Sequence, residues 1–498
     1  MTQKPILISG AGLASLLLAR SLLRYKIPFR VFERDASLSS RGQGYRLRLS
    51  SEGLDAIESA LEPAAWQKFY DRCGKTGGGG MKTIDATTGE AIEQSPAAPA
   101  GNSSSGGSGG SDNKESLSSR EGKVVGIARG DMRSLFMEGC EQFVQFNKHV
   151  KGYELTTEGV RAIFSDGTKS EEGSMLIGGE GINSYVAKQL SNGKLKVYDT
   201  GARGIHGQAP TTAFKGLGEG VFRIVDNSRP NGSFAVITNV RAGDMDDPDT
   251  QFGWTMVGEP GVIKAPNDDY TIVGETASNI ARELTKDWHR SLKPLFTESN
   301  TSEGAFWKIT ISTPSGVPVW PNQPRVTVIG DAAHSMTPAG GLGANTAVRD
   351  SALLGRLLKG GYYEGATADY EKEMRVYGSE AVGKSYGMAS KMFKIHIDED
   401  NSTTMDGEVL VDRLRSQVDQ ALAADRARVA EKALQGKIAA DNDGWSDIED
   451  DDTVVVDDVD PVIEDNKVVE VNEAVEGDKV ADVALVAIPR KRGWFFRR

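Results

Sequence analysis

The chain has few cysteines and histidines, no long apolar run and no surplus of positive charge. Its two cysteines, Cys73 and Cys140, lack metal-ligand spacing and make no disulfide framework, which fits a reducing compartment and an ordinary packed core. Both read as buried fillers. No stretch approaches the roughly 18 uninterrupted apolar residues of a membrane-spanning helix. The apolar N-terminal segment PILISGAGLASLLLARSLL is broken by Gly10, Gly12 and Arg20, and no cleavage-like segment follows. It reads as strand, turn and helix, and a cytoplasmic protein is expected. The 58 Lys and Arg face 70 Asp and Glu, and the formal charge of −12 argues against a nucleic-acid binder at whole-chain level. A phosphate loop is missing too. FYDRCGKTGGGG (69–80) offers Gly74, Lys75 and Thr76, but the leading glycine of that motif would fall at Phe69.

What is present suits two or three domains in 498 residues, with 58 glycines pointing to many turns or loose segments. Residues 5–9 predict a buried parallel strand, 13–24 a helix and 29–34 a second strand, together a βαβ unit. A helix is expected over 51–73, capped by Ser50 or Ser51, with strands at 81–86 and 124–128. Between them lies a Gly/Ser-rich insert, 94–122, with almost no apolar side chains to offset ordering entropy; it reads as a mobile surface loop. A helix over 129–146, a hairpin over 153–165 and a strand running into a turn over 174–184 follow. Residues 198–320 are rich in strand-like runs and read as a mostly antiparallel sheet, in which Trp254, Trp307 and Trp320 are expected to be packing residues and not pocket walls. Helices resume after Gly341. A charged helix is expected over 408–437, then an acidic disordered tail ending in the basic-aromatic PRKRGWFFRR.

ISGAGLAS (8–15) sits where a dinucleotide fingerprint should, after a strand and at the start of a helix. Gly10 permits the tight turn and Gly12 lets the backbone approach a pyrophosphate at a helix N-terminus. Ser15 replaces the third glycine and is small enough for helix–strand packing. Glu33, with Arg34 beside it, ends the second strand about 20 residues on, where an acid accepts hydrogen bonds from a ribose. The second notable stretch is VIGDAAHSMTPAGGLGANTAVRD (328–350), a strand that breaks into a glycine-rich turn and then a helix. Its residue types suggest a backbone cradle for a polar ligand.

At this stretch the sequence resembles the group A flavoprotein monooxygenases, the p-hydroxybenzoate hydroxylase-like family, especially its fungal secondary-metabolism members. The matching residues are Gly330-Asp331, then Pro338, Gly341, Gly343, Ala344 and Asn345. The resemblance implies that Asp331 binds the ribityl chain of FAD and that the 341–345 backbone lines the flavin's pyrimidine edge. IARGDMRSLF (127–136) resembles a family segment that offers Arg129 and Arg133 as flavin-facing cations. GYRLRL (44–49) matches a family strand that brings Gly44 and Arg46 near the cofactor, with Arg48 a weaker candidate. GGEGINSYVAKQ (178–189) resembles the family's D-G motif near the pyrophosphate, with Glu180 in place of Asp and Ala187 at a position often Arg. GIHGQAPTT (204–212) matches a strand of the substrate domain, and His206 is the candidate catalytic residue, within reach of a substrate phenol.

The resemblance thus implies an α/β fold: a Rossmann-like FAD-binding domain (1–197 and 321–395) with a mostly antiparallel β substrate domain (198–320). A helical extension (396–440) and the acidic tail (441–498) would follow. NAD(P)H would reduce the flavin as a transient partner, since no second glycine fingerprint is present. Oxygen and an aromatic or polyketide-like small molecule would complete a hydroxylation or epoxidation needing no metal. Two other readings remain open. One is a different flavin-dependent oxidoreductase on the same fold, although the Trp-x-Trp-x-x-Pro segment of halogenases is missing. The other is a catalytically degenerate flavin fold used for binding, for which Ser15, Glu180 and Ala187 speak.

Overall fold

The computed structural model describes residues 3–38, 46–77, 80–92, 119–247 and 250–405. Gly44, most of the low-complexity insert and the expected helix and tail beyond 405 lie outside the described residues. Five parallel strands form the first sheet: β1 (Ile6–Ser9), β2 (Phe29–Phe32), β7 (Val144–Gln145), β10 (Met175–Gly178) and β16 (Val326–Val328). Their order is β16-β10-β1-β2-β7. Both central strands, β1 and β10, are buried along their whole length, which explains their unbroken apolar runs. The chain leaves β1 toward β2 on one side, while β10 lies on the other. The carboxyl ends of β1 and β10 therefore flank a topological switch point, where an open α/β sheet offers a crevice.

Beside this sheet stands a three-stranded antiparallel one, β3 (Arg46–Leu49), β6 (Lys123–Ala128) and β4 (Gly74–Gly77), in the order β3-β6-β4. A hairpin of β8 (Val150–Leu155) and β9 (Val160–Phe164) lies where the sequence places one. The largest sheet has six strands: β5 (Met81–Asp85), β11 (Val197–Pro210), β12 (Gly220–Asp226), β13 (Phe234–Val240), β14 (Gln251–Gly258) and β15 (Ala305–Ser312). Their order is β15-β11-β14-β13-β12-β5, antiparallel except for the β12–β5 pair. The buried face of this sheet, including Ile205, Ile224, Val236 and Met256, shares a core with Ala277 and Ala281 of the helix Glu275–Leu284. The opposite face is only half-buried along its central row.

Several sequence expectations need correction. Residues 51–73 form two helices, Ser51–Ala60 and Pro63–Arg72, because Pro63 denies the first helix an N–H and holds the preceding residue extended. The first is capped as expected, Ser50 accepting from the Gly53 N–H at 3.0 Å. The helix from Arg129 stops at Met137, two residues before the left-handed Gly139. The strands flanking the insert, placed where expected, belong to different sheets, β5 to the six-stranded and β6 to the three-stranded one. The insert's last residues are packed, since Ser119 is buried and donates to Leu49 O, and Arg120 pairs with Asp55 and Glu58. The stretch 396–404, expected to begin a helical extension, instead lies along β11, with Asp199 N donating to Thr403 O at 3.0 Å. Cys73 and Cys140 are buried as expected, and burial pushes both thiols up to about 12.

The helix Leu13–Arg24 packs closely on the helix Gly343–Leu357, and the contact depends on Gly355. A Cβ there would lie 2.6 Å from Ser21 Cβ. Gly355→Val is expected to destabilise the fold by about 1–3 kcal/mol through forced separation of the two helices. Gly360→Ala, with nothing within 4 Å of its added methyl, should stay within about 0.5 kcal/mol of wild type. Urea midpoints of the two variants check the contrast.

Candidate active site

A single cavity of about 660 Å³ starts at the switch point and ends on the half-buried face of the six-stranded sheet. At its first end Gly10 has φ +85°, and a Cβ there would meet Gly179 O at 2.6 Å; only glycine lets the two strand ends approach this closely. Ser15 does not reach the cavity. It is buried, and its hydroxyl occupies the space that a Cβ on Gly179 would need, so its role is helix–strand packing. Glu33 lines the cavity, and its carboxylate accepts from Ala11 N at 2.7 Å, Asp35 N at 2.9 Å and Arg133 Nη2 at 3.3 Å. Three donors leave room for one more on a group with about four acceptor positions. Arg34 lies exposed at the mouth.

Arg133 takes a different part from the one its motif suggested. Though it borders the cavity, it is buried and gives Nε to Ala11 O at 2.8 Å and Nη1 to Leu38 O at 2.9 Å. With Glu33 it braces the fingerprint loop. Arg129 faces the cavity and acts electrostatically on Asp331. Arg46 also lines it, donating to Gly126 O at 3.2 Å; burial and the neighbouring Arg241 pull its guanidinium down to about 10. Arg48, the weaker candidate, stands on the same wall, and burial lowers it as well.

The opposite wall carries two carboxyls. Glu180 accepts from Ser184 Oγ at 2.7 Å, and Ser184 caps the helix Tyr185–Ser191 by accepting from Ala187 N at 3.0 Å. Its other oxygen is buried without a hydrogen-bond partner, and burial raises its pKa. Ala187 is buried in that helix and does not line the cavity. Asp331 opens the short helix Asp331–His334 right after Gly330, whose φ of +60° turns the chain. Its carboxyl projects into the cavity, open to its interior yet enclosed by its walls, and burial raises its pKa too. Among the described residues it makes no hydrogen bond.

Beneath this turn lies a network that the sequence did not advertise. The fully buried Asp350 accepts from Gly330 N at 2.6 Å and from Tyr377 Oη at 2.6 Å, and lies 2.9 Å from His334 Nε2. Burial would lower the imidazole's pKa, but the contact with Asp350 outweighs it and the net shift is upward. Gly341, Gly343, Ala344 and Pro338 line the cavity as expected. Asn345 does not. Its side chain donates to Gly341 O at 2.8 Å and Arg48 O at 3.0 Å and accepts from Ser50 N at 2.9 Å, tying the helix Gly343–Leu357 to β3. The first N–H groups of that helix have no intrahelical acceptor and lie at the cavity wall.

At the far end His206, Thr255 and Trp307 form the floor on the six-stranded sheet. Trp254 and Trp320 are core residues, as expected, but Trp307 is a wall, fitted against the bare Cα of Gly204. The sequence also gave no sign of His149 and Tyr185, whose rings meet edge to face at 5.9 Å on the wall near Glu33. They come from separate elements, and only the fold joins them.

The donor set fits FAD. A glycine cradle that a Cβ would obstruct suits a pyrophosphate, and two acceptor carboxyls without full protein partners suit the hydroxyls of a polyol. Comparison with known proteins agrees. A family model described as FAD binding domain matches residues 3–383. The dual O-methyltransferase/FAD-dependent monooxygenase elcB of Phaeosphaeria nodorum is 28% identical over 71% of this chain and 40% of its own length. The chain spans less than half of such dual enzymes. The FAD-dependent monooxygenase cctM of Talaromyces islandicus is 25% identical, covering 76% of this chain and 90% of that protein. Among solved structures, Klebsiella pneumoniae HpxO complexed with FAD and uric acid superposes with a TM-score of 0.61 at 19% identity, over 78% of this chain and 89% of that one. The 2,6-dihydroxypyridine-3-hydroxylase of Arthrobacter nicotinovorans gives 0.59 at 17% identity, over 80% and 95%. The chain thus belongs to the FAD binding domain family, with the p-hydroxybenzoate hydroxylase-like architecture.

Proposed function

We propose that the chain is an FAD-dependent monooxygenase that takes electrons from NAD(P)H and uses O2 to hydroxylate, or epoxidise, an aromatic or polyketide-like small molecule. One observation carries this reading: the cavity that offers Asp331 and the 341–344 backbone to a cofactor continues onto an open sheet face beside His206 and Trp307. A cofactor site that opens onto a second, partly apolar surface has room for a substrate beside the reactive ring.

FAD supplies electron acceptance and oxygen activation, and the chain supplies binding, orientation and electrostatics. Glu33 and the loop Gly10–Gly12 would hold the adenosine and pyrophosphate end, and Asp331 would accept from the ribityl hydroxyls. The N–H groups that open the helix Gly343–Leu357 would bring partial positive charge to the pyrimidine edge of the bound cofactor. Trp307 walls the substrate side and keeps water out. His206 orients a substrate hydroxyl by hydrogen bonding. Burial brings its imidazole down to about 4, so it is neutral at pH 7 and a weak base toward a phenol.

Visible absorption of the purified protein tests the cofactor reading. The expected result is a yellow protein that bleaches with NADPH under anaerobic conditions, and an Asp331→Ala variant that binds FAD roughly tenfold or more weakly while remaining folded. A folded wild-type protein that stays colourless and refuses added FAD would end the enzyme reading.

His206 has its own titration. The unfolded chain takes up a proton on this residue near pH 6.5, but the native chain does so only near 4. The stability this contributes is complete above 6.5 and drains away as pH falls through that window. With five histidines in the chain, His-selective carbon-13 labelling resolves the signal, assigned by its loss in His206→Asn. A midpoint near 4 is expected; one near 6.5 would show that His206 is solvated and is no part of a shielded floor.

A further inference from the structure

A second cavity, about 680 Å³, shares no lining residue with the first. It is bounded by β5, β12, the turn between β12 and β13, Glu259 just after β14 and the end of the helix Ala366–Met392. Its place follows from the pairing of β5 with β12 at the edge of the six-stranded sheet, where Thr83 lies beside Arg223 and Asp85 beside Val225. Alternation along β12 sets what faces it. Arg223 and Val225 line the cavity, whereas Phe222 and Ile224 belong to the core of the sheet.

The lining is cationic on a chain whose formal charge is −12. Arg223, Arg229, Lys391 and Lys394 stand against one carboxylate, Glu259. That carboxylate is engaged by Ser233 Oγ at 2.6 Å. Arg229 leans on Asp226 at 3.9 Å and donates to Leu284 O. The other three cations make no hydrogen bond or ion pair among the described residues. Arg223 Nε is buried without an acceptor, and burial with no counter-charge lowers the guanidinium below its usual value. Like charges around one cavity repel, and a buried donor without an acceptor costs stability. Folded proteins carry such costs where a ligand offsets them.

We propose that this cavity is a second ligand site, for a small molecule that carries two or more linked phosphate groups. A lone carboxylate would leave most of the cations unmatched. Arg223, half-buried on the strand, suits bidentate contact with one phosphate, and the exposed Lys391 and Lys394 act as point charges on the next. Met81, Val225, Pro230 and Met392 give the cavity apolar walls for the body of such a molecule. Its volume falls in the range of small-molecule pockets, roughly 300–1,000 Å³. The site stands independently of the monooxygenase reading.

The test is calorimetric titration of the full-length protein with pyrophosphate and with ADP, at low ionic strength and in saturating FAD, which keeps both probes off the Gly10 loop. The wild type is expected to bind both. Arg223→Met should weaken pyrophosphate roughly tenfold or more, and Arg223→Lys should keep most of the affinity. Lys391→Gln and Lys394→Gln, on the exposed rim, should each weaken it by a smaller factor. Without ligand, Arg223→Met should melt no lower than wild type, because it removes an unpaired cation. A marked drop in its melting temperature would mark Arg223 as structural, and the two lysine variants would then decide. No binding of either probe by the wild type, or a pyrophosphate affinity unchanged in Arg223→Met and in both lysine variants, would overturn the proposal. Titration with NADP+ separates two sources of the same chemistry. An NADP+ affinity lost in Arg223→Met alongside that of pyrophosphate identifies a nicotinamide dinucleotide as the ligand, and one retained there assigns the site to a different phosphate-bearing molecule.

Discussion

The geometry of the candidate cofactor site hangs on one buried carboxylate. Asp350 holds the Gly330 N–H at 2.6 Å, and the left-handed turn at Gly330 is what swings Asp331 into the cavity. A buried carboxylate is costly unless its lone pairs are filled, and here Tyr377 and His334 fill them. His334 Nε2 lies 2.9 Å from Asp350, and this contact outweighs burial and raises the imidazole's pKa. Because Asp350 sits on the helix Gly343–Leu357, the same contact links the turn after β16 to the helix whose N-terminus borders the cavity. Loss of that link would displace both the Asp331 carboxyl and the N-terminus of the helix from the cavity wall.

Charge is distributed along the cavity with the same economy. Two carboxyls, Glu180 and Asp331, are raised by burial, and two guanidiniums, Arg46 and Arg48, are lowered by it. Each of the four loses solvation within the cleft, and polar groups of a ligand would offset that loss. Glu33 and Arg133 behave differently: they satisfy each other and the Ala11 peptide, and so make the fingerprint loop stiff before any ligand arrives. The cavity therefore combines a rigid anchor with carboxyls that still have acceptor capacity, an arrangement that spends ligand contacts on affinity instead of on ordering the loop.

Much of this was legible in the sequence, for identifiable reasons. The βαβ unit, the glycine turn and the Gly330–Asp331 cradle are local, and local backbone demands leave local marks such as Gly10 and Gly330. What could not be read was decided by contacts between distant segments. Asp350 and Tyr377 lie in helices whose sequence looks ordinary, and they matter only because the helices Gly343–Leu357 and Ala366–Met392 bring them to Gly330. Arg133 and Asn345 were placed in the right neighbourhood, but nothing in their motifs says whether a side chain faces a ligand or the protein. Trp307 became a wall because Gly204, on the adjacent strand, leaves space beside it. Pro63, which divides the helices Ser51–Ala60 and Pro63–Arg72, is a local mark that the helical pattern on either side of it hides. The excursion of β5 into the larger sheet is a matter of pairing, which periodicity does not encode.

The most direct test of this account is a crystal structure of the FAD-loaded protein. The account requires an Asp331 carboxylate oxygen within hydrogen-bond distance of a ribityl hydroxyl, the pyrophosphate over Gly10 and Gly12, and the ring between the 341–344 backbone and Trp307. A cofactor bound in the reverse sense, or a ribityl chain with no contact to Asp331, would contradict it.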